Sequence, residues 1–251
     1  EDYDGKPGSG PTQIQNPNLR WEKSSNFNVG FDLGLFDRVD FVVDYYERNT
    51  EDLLLSVPIS STVGLTSVLR NIGAMSNKGW ELELTSRNIL EPLRWITKFN
   101  FSMNDNKVVE LYQGEDILDA YAHQIIREGE PIFTWYRENW AGVHPATGAP
   151  LWYDENGNVV TSYGDANRQL VGDVHPDWQG GFTNSFSFMG VSLDIFFNYV
   201  YGVDIYNNSA RYISPDGAYM TNWSDQQLDR WQEPGDVTEV PQIISGGNNN
   251  S

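Results

Sequence analysis

Apolar and polar residues alternate strictly over much of this chain. Phe27, Val29, Phe31, Leu33 and Leu35 are interleaved with Asn28, Gly30, Asp32 and Gly34. After Phe36-Asp37-Arg38 the pattern resumes at Val39, Phe41, Val43 and Tyr45. Period two gives one apolar and one polar face, so the spacing predicts a β-hairpin. Two further pairs follow. Trp80, Leu82 and Leu84 precede Trp95, Thr97, Phe99, Phe101 and Met103; Phe182, Asn184, Phe186 and Phe188 precede Val191, Leu193, Ile195, Phe197, Tyr199 and Tyr201. The pattern predicts about six long strands as three hairpins, at about 24–48, 79–104 and 180–202, in a single region 1–251. Long loops separate them at about 49–78, 104–179 and 203–251. Residues 1–15 read as loop, Val108–Arg127 is weakly helical in spacing, and Pro150–Tyr163 predicts a small hairpin around Asn156-Gly157.

Strand length narrows the fold class. Asn26 to Leu35, at roughly 3.3 Å per residue, runs about 33 Å; tilted by about 40°, it covers about 25 Å, the height of the apolar band of an outer-membrane barrel. Charge is segregated as lipid exposure demands. Asp32, Asp40, Asp44, Glu81, Glu83, Lys98 and Asp194 all fall on the polar side, while Thr97 and Asn184 are the polar exceptions on the apolar side. The connections alternate short and long, as do the periplasmic turns and extracellular loops of such barrels. The expected class is therefore all-β: an antiparallel transmembrane β-barrel segment with long extracellular loops. A soluble β-sandwich that turns its apolar face into a core alternates in the same way, and periodicity leaves both open.

Composition then trims the function classes. With 16 Lys and Arg against 35 Asp and Glu, a formal charge of −19 argues against binding nucleic acid or an anionic membrane surface. No apolar run approaches the length of a transmembrane helix, which leaves barrel strands untouched. The absence of Cys removes thiolate metal sites. The ends, EDYDGKPG and GGNNNS, read as loop without a signal peptide, as though cut from something longer.

Candidate chemistry is sparse. His123, His144 and His175 are scattered, and two precede Pro, so no metal site is expected. Asp154-Glu155-Asn156-Gly157-Asn158 resembles a Ca²⁺ loop but has its Gly at position four rather than six, which favours a turn. Glu81 and Glu83 share a strand face, but charge lining a lumen explains them better than a glycosidase pair. No acid, base or nucleophile set converges, so neither an enzyme nor a cofactor is expected.

Six motifs carry a family resemblance. NPNLRWEKS at 16–24, DYYERNTEDLLL at 44–55, NKGWELEL at 77–84, WAGVHPATGAPLWYDENG at 140–157, GGFTNSFSF at 180–188 and the YGxxIYN pattern at 201–207 occur in this order. Together they resemble the SusC/RagA family of TonB-dependent outer-membrane transporters, with departures at His144 and Val203-Asp204. The resemblance implies part of the C-terminal half of a barrel of about 22 strands, in the bacterial outer membrane, with its loops extracellular. It implies a SusD-like surface lipoprotein as lid, and energy from TonB through a plug domain that this chain lacks. It further implies contact with outer-membrane lipid and import of a glycan or peptide nutrient. A soluble carbohydrate-binding β-sandwich module is the alternative.

The candidate contact residues are the loop aromatics Trp135, Tyr136, Trp140, Trp152, Tyr153, Trp178, Tyr219, Trp223 and Trp231. Amphipathic rings can hold a sugar face or a peptide while hydrogen-bonding at their edge. They can equally pack the loops on themselves or on the lid. Trp135, Tyr136 and Trp140 lead because they cluster.

Overall fold

The computed structural model describes residues 2–3, 6–7, 13–60, 62, 64–65, 67–119, 123–214, 216–218 and 221–248. Six long strands dominate: β1 (Lys23–Leu35), β2 (Val39–Glu51), β3 (Gly73–Ile89), β4 (Arg94–Leu111), β5 (Trp178–Phe188) and β6 (Val191–Tyr201). They pair antiparallel in chain order as one open sheet with β1 and β6 at its edges. The three predicted hairpins are present, and the fold is all-β apart from short helical turns such as Ala210–Ile213.

Register places the apolar residues on one face. One row crosses the sheet through Phe31, Val43, Leu82, Phe101, Gly180 and Tyr199; another through Leu33, Phe41, Leu84, Phe99, Phe182 and Phe197. Among the described residues no second layer covers these side chains, and Phe31 remains 59% and Phe197 58% exposed. A water-soluble sandwich would bury such a face.

The band has an aromatic border. Tyr45 and Trp80 lie 5.0 Å apart between ring centroids, and Trp178 stacks on Tyr201 at 4.9 Å. One register step beyond Tyr45 and Trp80, the same face becomes charged: Glu47 pairs with Lys78 at 3.5 Å, next to Asp105. Amphipathic rings below a charged row match a membrane–water boundary. The two polar exceptions satisfy each other. Asn184 Oδ1 accepts from Thr97 Oγ1 at 2.8 Å and from Trp95 Nε1 at 2.9 Å, while Asn88 Nδ2 donates to Thr97 Oγ1 at 2.7 Å.

Two short turns differ in chemistry from the usual hairpin signal. Phe36 (φ 55) and Asp37 (φ 54) both occupy the left-handed region, as do Met189 (φ 47) and Gly190 (φ 82). Positive φ at both central positions matches the right-handed strand twist, and Asn-Gly is the ordinary solution. Here three of the four residues carry a Cβ, so the long ladders on either side hold the geometry.

Several segments differ from the sequence-based expectation. Val108–Arg127, whose spacing suggests a helix, instead continues β4 to Leu111 and then pairs Ile117–Leu118 with Gln124–Ile126. The reason is a change of face. Beyond Met103, β4 carries Asp105 and Lys107 on its formerly apolar side, and Val108 lies on the other side, 1% exposed. The loop expected at 49–78 contains a hairpin, Leu54–Pro58 against Ser67–Asn71. Ile72, Val108, Leu111, Ile117 and Ile126 form a small buried core, flanked by Leu55, Val57 and Ile132. In the segment read as loop at 1–15, Asp2–Tyr3 pairs with Lys6–Pro7.

Where a single region is expected from the sequence, the chain divides into two compact units: Glu1–Phe133 with His175–Val203, and Thr134–Val174 with Asp204–Ser251. The six-stranded sheet and the small core belong to the first unit.

Candidate functional site

The second unit contains short strands that carry several aromatic and charged side chains. Thr134–Glu138 pairs with Arg168–Gly172, and Trp140–Val143, Pro150–Tyr153 and Val159–Val160 form a three-stranded meander. The predicted hairpin around Asn156-Gly157 closes as a five-residue loop. Asp154 Oδ1 accepts from the backbone N–H groups of Asn156 and Asn158, each at 2.8 Å. Those bonds, with one from the Asn158 side chain, hold the Asp154 carboxyl below its usual pKa.

Register stacks the rings of the meander. Trp140 lies opposite Trp152, which lies opposite Val160. Trp140 meets Trp152 edge-on at 6.0 Å, and Trp152 meets Tyr163 at 5.4 Å. Trp152 is only 5% exposed and supports Trp140 from beneath. Trp140 is exposed, and its Nε1 donates to Glu239 Oε2 at 3.4 Å. Trp135 donates from Nε1 to the Asp204 carbonyl at 2.8 Å and lies 5.8 Å from Tyr206, over which Arg137 sits at 5.5 Å.

Beside these rings Glu138 is nearly buried, with Arg168 at 3.2 Å and Arg137 at 3.6 Å. Burial opposes ionisation of Glu138, but hydrogen bonds from its own backbone, Tyr163 and Arg168, with the charge of Arg137, hold its pKa below the usual carboxylate value. Burial, the hydrogen bond to Glu138 and that residue's charge push Tyr163 up to about 12.

The remaining candidates are dispersed. Trp231 donates to the Pro145 carbonyl at 2.9 Å and packs over Gly148, whose φ of +70 and missing Cβ both suit that contact. It therefore clamps the Thr238–Gln242 segment to the His144–Gly148 turn. Tyr153 joins the meander, and Tyr136 is half-buried in the strand opposite Leu170. Trp223 lines a separate cavity with Gln227. Trp178 stands in the other unit among Phe101, Tyr199 and Tyr201, in the aromatic border of the sheet. Tyr219 lies outside the described residues.

The sequence does not single out Tyr163 or Arg137, and Tyr206 enters it only as a member of the YGxxIYN pattern, not as a contact residue. A Tyr at the end of a turn-rich stretch and a lone Arg within a strand carry no spacing signal; register places Arg137, and a turn brings in Tyr163. Among the described residues no group of three or more His, Asp or Glu is placed to hold a metal ion. Of the three histidines, His144 accepts from the Ala146 N–H at 3.2 Å and His175 Nε2 lies 3.2 Å from the Ile132 carbonyl. Glu81 and Glu83 lie on the polar face opposite Asp44 and Val42 respectively.

A family model described as "TonB dependent receptor-like, beta-barrel" matches residues 1–235. TonB-dependent receptor P3 of Formosa agariphila is 34% identical over 92% of this chain and 25% of its own length. TonB-dependent receptor SusC of Bacteroides thetaiotaomicron is 29% identical over 82% of this chain and 22% of its own. The solved structure of the RagAB peptide transporter superposes with a TM-score of 0.85 at 31% identity, covering 99% of this chain and 28% of that one. The chain thus spans about a quarter of the length of the curated relatives it matches.

Proposed function

Because the chain belongs to the TonB-dependent receptor β-barrel family, we propose that it is part of an outer-membrane importer of oligosaccharides or oligopeptides. The supporting observation is the outward apolar face of the six-stranded sheet, bordered by Tyr45, Trp80, Trp178 and Tyr201 and then by Glu47 and Lys78. Only a solvent that is apolar over about 25 Å and aqueous beyond suits that sequence of side chains. The charged end of the face is the end from which the long excursions leave the sheet. We read it as extracellular and the turns at Phe36-Asp37 and Met189-Gly190 as periplasmic.

On this reading the protein is a transporter component rather than an enzyme. A SusD-like surface lipoprotein serves as lid, and TonB acts through a plug elsewhere in the whole protein. The similarity to the RagAB peptide transporter supports the oligopeptide class, and the exposed ring of Trp140 suits an oligosaccharide. Exposed Trp140, with Trp135, Tyr136, Tyr153 and Trp231 in the same unit, supplies stacking surface for a neutral ligand or the lid. Trp152 acts through Trp140.

The test uses the full-length transporter in its own cells. Labelled oligosaccharide and oligopeptide pools are followed into the periplasm, with and without TonB, and the affinity-tagged transporter is purified to identify a co-purifying surface lipoprotein. TonB-dependent entry of one pool, with such a lipoprotein bound, is the expected result. Entry of neither pool, or entry indifferent to TonB, overturns the importer reading. Trp140→Ala, at equal folded abundance, is expected to weaken capture or lid binding about thirtyfold, the effect of losing a buried interface Trp.

A further inference from the structure

One motif of the second unit has no part in the importer reading: Asn156-Gly157, the one Asn-Gly dipeptide in the chain. It forms the tip of the loop between Pro150–Tyr153 and Val159–Val160, and residues 155–159 are all exposed. Gly157 has a φ of +79, and a Cβ added to it would meet no atom within 4 Å among the described residues. Neither a side chain of its own nor a packed neighbour therefore screens its backbone nitrogen.

That nitrogen lies next in the chain to a carboxamide, a pair of groups that reacts without an enzyme. Hydroxide removes the Gly157 N–H proton, and the nitrogen bonds to Asn156 Cγ. The Cγ–Nδ2 bond breaks, ammonia leaves, and the product is a cyclic succinimide. Water then opens one of the two ring carbonyls. Opening at one gives aspartate; opening at the other gives isoaspartate, in which the main chain runs through the former side chain.

Asp154 opposes the first of these steps. Its backbone carbonyl accepts from the Gly157 N–H at 3.1 Å, so the attacking nitrogen is engaged as a donor. Its carboxylate holds the loop in that form: Oδ1 accepts from the N–H groups of Asn156 and Asn158 at 2.8 Å each, and Oδ2 from Asn158 Nδ2 at 3.0 Å. Bonds to an ionised acceptor are the stronger kind, and here one side chain supplies three of them.

We propose that Asn156 is a site of spontaneous deamidation and that Asp154 sets its rate by keeping the Gly157 N–H bonded. The reaction bears on the aromatic residues beside it. Isoaspartate lengthens the main chain of the loop and adds a charge next to Asp154 and Glu155. The loop sets the register of Tyr153 opposite Val159 and of Trp152 opposite Val160, and Trp152 supports Trp140. Deamidation at Asn156 thus loosens the footing of Trp140 as the protein ages, whatever nutrient is imported.

The experiment ages the full-length transporter in detergent at mildly alkaline pH, beside a synthetic peptide of residues 150–163. Both are followed by mass spectrometry with electron-transfer fragmentation, which separates isoaspartate from aspartate. Asn156 in the folded protein is expected to convert about tenfold more slowly than in the peptide, equivalent to about 1.4 kcal/mol and in the range of one or two hydrogen bonds. Asp154→Ala should recover most of that factor, and Asp154→Asn, which keeps an acceptor in place, should recover less. All rates should rise with pH, because hydroxide removes the Gly157 proton. Asn158, crowded by β-branched Val159, should stay intact and serves as the internal standard.

An Asn156 still intact in Asp154→Ala after the peptide has converted fully overturns the site, as does equal loss at Asn158. Equal rates in wild type and peptide, or in wild type and Asp154→Ala, overturn the control by Asp154. Should Asp154→Ala fail to assemble, the ratio of wild type to peptide and the rate of Asp154→Asn decide the same two points.

Discussion

Within the first unit, two groups of apolar side chains meet opposite fates. On the sheet, Phe31, Phe41, Phe99 and Phe197 share one face, on which Phe31 and Phe197 stay more than half exposed. Past the end of that face, Val108 and Leu111 of β4 bury one another with Ile72, Ile117 and Ile126. β4 belongs to both. Phe99, Phe101 and Met103 lie on the apolar face, Asp105 and Lys107 continue that face as charge, and Val108 turns to the other side. The changeover falls at the level of the Glu47–Lys78 pair, just past the Tyr45–Trp80 rings. One strand thus records two solvents: where hydrocarbon surrounds it the apolar side points out, and where water surrounds it the apolar side points in.

The sharpest way to break this contrast is to place a carboxylate on each side of Val108. Val108→Asp buries an unpaired charge and should destabilise the small core by on the order of 4 kcal/mol or more, whereas exposed Val109→Asp should change it by about 0.5 kcal/mol or less. Hydrogen exchange across residues 105–132 of the full-length protein measures both. Equal protection in the two variants would remove the core from its assigned role.

A charge on the other face comes next. Phe41→Arg should cost about 2–4 kcal/mol near the bilayer midplane and deplete the heat-modifiable folded band of the full-length barrel. Asp32→Arg, on the polar face, should spare it. Asp32 is a better control than Asp40, which is ion-paired with Arg87 at 2.7 Å. Comparable losses in the two variants would invert or abolish the face assignment.

The polar exceptions give a smaller effect. Asn184→Leu strips the Trp95 and Thr97 donors of their acceptor and should cost on the order of 1 kcal/mol. Adding Thr97→Val should recover part of that loss, since a missing pair costs less than half a pair. Urea titration of the folded barrel in detergent, read as a double-mutant cycle, would show the coupling. Strict additivity would mean that the two side chains do not act together.

The smallest effect concerns pH and the second unit. Tyr163 has its pKa raised to about 12, so the stability it adds is present below the unfolded value near 10 and is lost as pH rises through 12. Glu138 has the opposite sign: its lowered pKa adds stability above the usual carboxylate range, lost as pH falls below it. Tyr163→Phe should flatten the alkaline limb of a melting-temperature profile while leaving the acid limb in place. An unchanged alkaline limb would separate Tyr163 from the network.

The sheet was legible in the sequence because its signal is local. Each of Phe27 to Leu35 announces its face through its neighbours, and the SusC/RagA motifs fall on residues covered by the family match. The small core was illegible for a related reason. Val108, Leu111, Ile117 and Ile126 are spaced by three, six and nine residues across a strand end and a hairpin, which fits neither the period of a strand nor one face of a helix. The turn at Phe36-Asp37 is legible from the interrupted alternation and not from its residues, which are not those that left-handed backbone normally selects. In the candidate site, the aromatic residues were visible but their grouping was not. Trp140, Trp152 and Tyr163 meet through register and a turn.

The sequential order of β1 to β6 has a bearing on how such a protein diversifies. Neighbours in the sheet are neighbours in the chain, and the two long excursions, residues 52–72 and 112–177, each leave one strand and return to the strand beside it. Closing the longer excursion costs only about 1 kcal/mol more than closing the shorter, because the penalty grows with the logarithm of length. A descendant gene can therefore lengthen, shorten or exchange either insert by recombination at its two adjacent roots, leaving every ladder of the sheet intact. Selection on what is recognised and selection on what survives in the membrane then act on separate stretches of DNA.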